Sequence, residues 1–255
     1  MNKIFIVAKY TFLEIIKSKI LMASIFIGIS ITLVSYFASE LSYGASAKVS
    51  LDFGLGIMSL SSVGIALFLG ATLIFDEVHS RTIYMILSRR ISRASFLIGK
   101  LLGIAGVLFI NITIIGFITL SYFYFSGGKI ELIIGWSVFY IFLVSLIILN
   151  IVVLFSLISN VTLSVIFSLV LYFSGNIMYE TSVLSFVQKN SLLKGVINTF
   201  GFLVPNLSLL NIKEFVLYNN SLPNSYLING LIYSLTFIFG TWALSLAVFN
   251  KKNLD

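Results

Sequence analysis

The chain has 255 residues, 59% of them hydrophobic and 10% charged, where an ordinary soluble domain carries about 25% charged residues. That balance excludes a water-soluble globule and leaves an all-α polytopic membrane protein. The net charge of +7 would suit a nucleic-acid partner, but the basic residues are dispersed along the edges of apolar runs, so it reports topology and no nucleic acid is expected.

Residues 3–19 plot as an amphipathic helix. Ile4, Phe5, Ala8, Phe12, Ile15 and Ile16 share one arc, and Lys3, Thr11, Glu14, Lys17 and Ser18 the opposite one. Such a helix is expected in the membrane interface, with its lysines at lipid headgroups and its apolar arc in the acyl boundary. The plainer alternative is a cytoplasmic start to the first span.

Crossing a hydrocarbon core of about 30 Å takes about 20 residues of helix, so the charges serve as rulers. Ile20 to Ser39 is an uncharged run of 20 residues and Phe53 to Phe75 one of 23; they predict spans at 20–39 and 53–75. The polar stretch 76–100 that follows holds all four arginines and the only histidine, and reads as a cytoplasmic loop. Leu101 to Gly128 contributes 28 uncharged residues and a third span at about 101–125.

The next run, Leu132 to Tyr179, has 48 uncharged residues and is too long for one crossing. Its polar Ser159-Asn160 pair divides it into spans at 132–157 and 162–179. Segment 180–225 contains both prolines, Pro205 and Pro223. It is too small and too poor in charge to be a separate domain; short external helices are expected there, with Val196 to Leu210 re-entrant. Asn219, Asn220, Pro223 and Asn224 delay the last span to about 226–249.

The count is six, in a single transmembrane domain over 1–255. A charge at the bilayer centre costs about 2.5–3.5 kcal/mol, and this division leaves all 25 charged residues at or beyond span ends. With both termini cytoplasmic, 11 of the 16 basic residues face inward, as the positive-inside bias requires.

Small residues recur at helix-packing intervals: Ser62, Ala66 and Gly70; Gly99 and Gly103; Ser164 and Ser168. They let helices approach closely. Asn111, Asn150 and Asn176 sit at membrane depth, where each needs a partner or a cavity.

Nothing in the chain looks catalytic. Gly99-Lys100 and Gly128-Lys129 lack the upstream glycine and the following hydroxyl residue of a phosphate-binding loop. The single histidine, His79, excludes a His-x-x-x-His zinc helix and leaves an intramembrane serine protease without a base. No metal, cofactor or catalytic residue is assigned. A secondary carrier driven by an ion gradient usually holds a charge inside the bundle; these spans hold none, which makes that alternative the least favoured, and any energy for transport would then enter from outside the membrane.

The loop runs Asp76-Glu77-Val-His79-Ser-Arg81-Thr82-Ile83-Tyr84-Met85-Ile86-Leu87-Ser88-Arg89-Arg90-Ile-Ser92-Arg93, then Gly99-Lys100. It resembles the loop joining the second and third spans in the membrane permease of type-2 ABC exporters, where an acidic residue precedes Gly-Thr, a leucine, Ser-Arg-Pro-x-Ser-Arg and a later Gly-Lys. Glu77, Thr82, Leu87, Ser88, Arg89, Ser92, Arg93, Gly99 and Lys100 fall on that pattern. Arg81 stands where the family often has glycine and Arg90 where it often has proline. The six spans, the amino-terminal helix and the external segment match the family's layout, so the resemblance covers nearly the whole chain.

The resemblance implies a permease in the cytoplasmic membrane of a bacterium or archaeon, dimeric with a second copy or a homologue. A separate cytoplasmic ABC ATPase carrying ATP and Mg would dock on the loop. A short helix over Thr82 to Leu87 would offer Ile83, Tyr84, Ile86 and Leu87 to an apolar groove, with Glu77, Arg81, Arg89 and Arg93 around it. The residues alone leave open a scaffold that recruits a cytoplasmic partner without transporting anything. They do not name a substrate: Phe, Tyr, Ile and Leu in the spans suit a lipid-like cargo and suit lipid contact equally.

Overall fold

The computed structural model describes residues 3–17, 46–79, 92–183, 204–217 and 222–251, with single positions between 22 and 37 and at 195 and 201; residues 73, 74, 76–79 and 178–183 are described by backbone alone. Most of the expected first span, loop residues 80–91 and much of the external segment lie outside the described residues.

Among the described residues, seven α-helices and one short 3-10 turn make up the regular structure, with no strand. The helices are α1 (Lys3–Lys17), α2 (Ser46–His79), α3 (Arg93–Phe125), α4 (Leu132–Ile158), α5 (Val161–Val183), α6 (Lys213–Leu217) and α7 (Asn224–Lys251); the turn covers Ser208–Leu210. α2 has 34 residues and α3 has 33, each about 50 Å at 1.5 Å per residue. They outrun a hydrocarbon core of about 30 Å. Helix therefore extends into regions read from charge as loop: α2 starts at Ser46 and runs to His79, and α3 resumes at Arg93.

α4 is the hub. Its apolar residues occupy the whole circumference, as in a buried helix or a membrane span, and Tyr140, Ile147, Ile148, Val152 and Val153 are fully buried. α2, α5 and α7 pack around it, and α3 lies against α2. The small residues serve these contacts. Ser62 and Ala66 are fully buried, and a Cβ on Gly70 would stand 2.3 Å from Val152 Cγ1. Ser164 and Ser168 are likewise buried on α5.

Local chemistry sets the helix ends. Ser92 caps α3, its Oγ accepting from the Ser95 N–H at 3.2 Å. At the other end Gly127 takes φ +84, its N–H donates to Tyr124 O, and the Gly128 N–H donates to Phe123 O. This is the glycine-terminated double closure of a Schellman motif. α4 and α5 are separated by Ser159 and Asn160 alone, and the Ser164 N–H donates to Asn160 O at 2.9 Å.

α1 departs from the expectation. The face that packs includes Thr11, which is 2% exposed although the wheel put it on the polar arc. A Cβ on Gly99 would lie 2.6 Å from Val7 Cβ and 3.0 Å from Ile4 O; on Gly103, 2.7 Å from Thr11 Cβ and 2.9 Å from Ala8 O; on Gly106, 3.1 Å from Phe12. Residue numbers rise together, so α1 runs alongside α3 in the same direction. Near the far end of α3, Tyr36 meets Tyr122 edge to face at 6.5 Å. Glycines on α3 thus bring the two backbones together, and the face of α1 that carries Ala8, Thr11 and Phe12 packs on α3. Phe5, a member of the apolar arc, remains exposed, as do Tyr10 and Leu13.

Successive helices alternate in direction. One end of the bundle gathers His79, Arg93, the α4–α5 turn and the end of α7. The opposite end gathers the start of α2, the Gly127 turn and residues 204–217 and 222–226. There, Val204, Leu207, Leu210, Ile212 and Val216 are buried. The segment is stitched down by Leu207 N–H to Gly175 O at 3.1 Å, Asn206 N–H to Tyr233 Oη at 2.7 Å and Tyr226 Oη to Leu209 O at 3.0 Å.

Candidate functional site

The residues that carry the loop motif divide between the described structure and its gap. Glu77 lies in the last turn of α2, described by backbone alone; Arg81, Thr82, Ile83, Tyr84, Ile86, Leu87, Ser88, Arg89 and Arg90 lie outside the described residues. Ser92, Arg93, Gly99 and Lys100 are all placed, and all belong to α3 or its cap.

Arg93 is the informative one. Its Nη1 donates to Phe249 O at 2.8 Å and to Asn250 O at 3.1 Å, and the guanidinium lies 5.7 Å from the centre of the Phe249 ring. Phe249 is fully buried and stacks on Phe96 at 6.3 Å. The last carbonyls of a helix have no partner within it and carry its partial negative charge, so a guanidinium fork is well suited to close α7. Arg93 thereby joins the first residue of α3 to the last turn of α7. Sequence reading put it on the rim of a docking groove; nothing local pointed to a contact 156 residues away.

Lys100 also turns inward. It is 5% exposed, with its ammonium 5.8 Å from the Phe96 ring centre, although charge counting grouped it with the loop. Gly99 beside it admits α1. Four elements are thus fastened together: α2 packs on α3, α1 is received by the glycines of α3, and α7 is tied to the first residue of α3 through Arg93.

The membrane-depth asparagines take different partners. Asn111, fully buried, donates Nδ2 to Ser61 Oγ at 3.2 Å and so links α3 to α2. Asn150 and Asn176 donate within their own helices, to Leu146 O and Tyr172 O, each at 2.9 Å. Asn176 also lines a cavity at the end of the bundle opposite the loop.

Four helical stretches, Ser46–Thr72, Arg93–Phe125, Leu132–Ile158 and Asn224–Lys251, are long and apolar enough to cross a membrane, and Val161–Ile177 is a shorter apolar stretch. The class is a helical, multi-pass membrane protein. The chain matches no protein-family model and no curated protein.

Proposed function

We propose that this chain is the permease subunit of an ATP-driven type-2 ABC exporter. It has six spans and cytoplasmic termini, works as a dimer with a second copy or a homologue, and is energised by a separate ATPase docked on loop 76–100. The observation that carries the reading is the Arg93 link between α3 and α7. A force applied to the loop reaches α2 and α3 directly, α7 through Arg93, and α1 through the glycine contacts. The motif from Glu77 to Lys100 supplies the likeness to a docking element, and the absence of a phosphate-binding loop assigns ATP and Mg to the partner.

The test is co-purification from native membranes with wild-type protein, Glu77→Lys and Arg89→Glu. Wild type is expected to bring down an ATP-hydrolysing protein and both variants to lose it, while the variants keep the wild-type elution profile and melting temperature. A wild-type preparation without such a protein, or variants that retain it fully, would overturn the reading. The chain lacks cysteine, so orientation is tested separately: a thiol at Arg89→Cys should react with an impermeant maleimide only after the membrane is opened, and one at Lys129→Cys without opening.

A further inference from the structure

The side of α1 turned away from α3 has an order of its own. Lys3, Tyr10 and Lys17 are seven residues apart, and Ile6 and Leu13 stand three after the first two; all five are exposed. These are the a and d places of a coiled-coil seam. Ala8, Thr11 and Phe12, which meet the glycines of α3, fall on the opposite face, so packing on α3 leaves the seam open. On the same register Lys9 takes a g place and Glu14 the e place that follows, and both are exposed. Charges at e and g choose the partner and its orientation. In a parallel pair a g residue meets the next e residue of the facing helix, so Lys9 of one copy meets Glu14 of the other, twice across a two-fold axis.

Depth argues that protein rather than lipid covers this face. α1 is parallel to α3 with Thr11 beside Gly103, which sets Glu14 level with Gly106. α2 is antiparallel to α3 with Gly54 beside Thr119, which sets Asp52 level with Ser121. From Gly106 to Ser121 the rise is about 22 Å at 1.5 Å per residue, and any tilt shortens its projection. A hydrocarbon core of about 30 Å therefore does not fit between Glu14 and Asp52, and one of the two charged tiers enters it. Asp52 has Lys213 at 2.6 Å, whereas Glu14 makes no ion pair among the described residues. A bare charge at the bilayer centre costs about 2.5–3.5 kcal/mol; a lysine brought by a facing helix lowers that cost.

We propose that α1 pairs with α1 of a second copy of this chain, in a parallel two-fold seam of Ile6, Tyr10 and Leu13 bracketed by Lys9–Glu14 ion pairs between the copies. Lys3 and Lys17 stand at the outermost a places, where like charges end the seam. The occupant follows from the charges: the face carries both signs at the spacing that makes it complementary to itself. The proposal deepens the transport reading and rests on the part of it in which the chain works as a dimer with its own copy.

The chain lacks cysteine, so the test is oxidative cross-linking of single cysteines in native membranes. Leu13→Cys, exposed on the seam, is expected to give a disulfide-linked dimer, and Phe239→Cys, exposed on α7, to stay monomeric. Copies carrying Lys9→Cys and Glu14→Cys under different tags should cross-link to each other more than either does to itself. In the Leu13→Cys chain, Glu14→Lys should lower the dimer yield several-fold by setting like charges opposite, and adding Lys9→Glu should restore it, a recovery that a role confined to one helix does not predict. No dimer at Leu13→Cys, an equal dimer at Phe239→Cys, or no recovery in the double reversal would overturn the proposal. A dimer cross-linked through another face, with none through α1, would sink this seam and leave the dimer of the transport reading standing. The co-purification of the ATPase is decided separately from both.

Discussion

Replacing Gly103 by alanine tests the α1–α3 packing most directly. The added Cβ would lie 2.7 Å from Thr11 Cβ, about 0.7 Å inside ordinary contact, and 2.9 Å from the Ala8 carbonyl oxygen. A backbone atom cannot swing aside as a side-chain tip can, so α1 must move as a body. Overpacking of this kind costs about 1–3 kcal/mol, while alanine in a helix gains about 1 kcal/mol over glycine. Gly64→Ala on α2 separates the two terms, because nothing lies within 4 Å of the Cβ it adds. Gly103→Ala should therefore unfold about 1–3 kcal/mol more easily than Gly64→Ala when the two are compared by denaturant titration in mixed micelles. Gly106→Ala, facing the movable Phe12 ring at 3.1 Å, should fall between them. Gly103→Ala as stable as Gly64→Ala would refute close packing of α1 on α3.

Three further outcomes follow from specific contacts. Arg93→Ala should release the last turn of α7, read as faster amide exchange over 247–250; Arg93→Lys should restore it only in part, because a lysine has no planar fork. The Asn111 and Ser61 pair should show a coupling of about 0.6 kcal/mol in a double-mutant cycle with alanines, typical of hydrogen bonds between membrane helices, and additive single effects would deny the link. Exchanging Asp52 and Lys213 should leave stability within about 1 kcal/mol of wild type, since both side chains are substantially exposed and exposed pairs contribute little; a larger loss would mean the pair is structural.

Much of the helical frame is legible in the sequence because burial in lipid forbids stray charge. Runs free of charge outline the long apolar helices, and the polar Ser159-Asn160 pair falls where α4 gives way to α5. Helix ends are read less well. Charge rulers measure the hydrocarbon layer, whereas α2 and α3 continue beyond it, so Lys48, Asp52 and Arg93 are helical although they lie outside the apolar runs. Thr11, on the polar arc of the wheel over residues 3–19, is buried against α3 for a related reason. A wheel sorts residues by polarity, and polarity does not tell a lipid-facing arc from one received by glycines on another helix.

What the sequence by itself determined is the class: an all-helical membrane protein with its arginines confined to one polar stretch, since composition and charge spacing are one-dimensional properties that a bilayer reads directly. The tertiary structure alone decided what those residues touch. Arg93 donates to carbonyls in the last turn of α7, 156 and 157 positions later, Gly99 and Gly103 receive α1 against α3, and Ser137, Asn176 and Lys213 meet around one cavity. Contacts between distant segments depend on how helices pack and cross, and that geometry leaves no local mark on the chain.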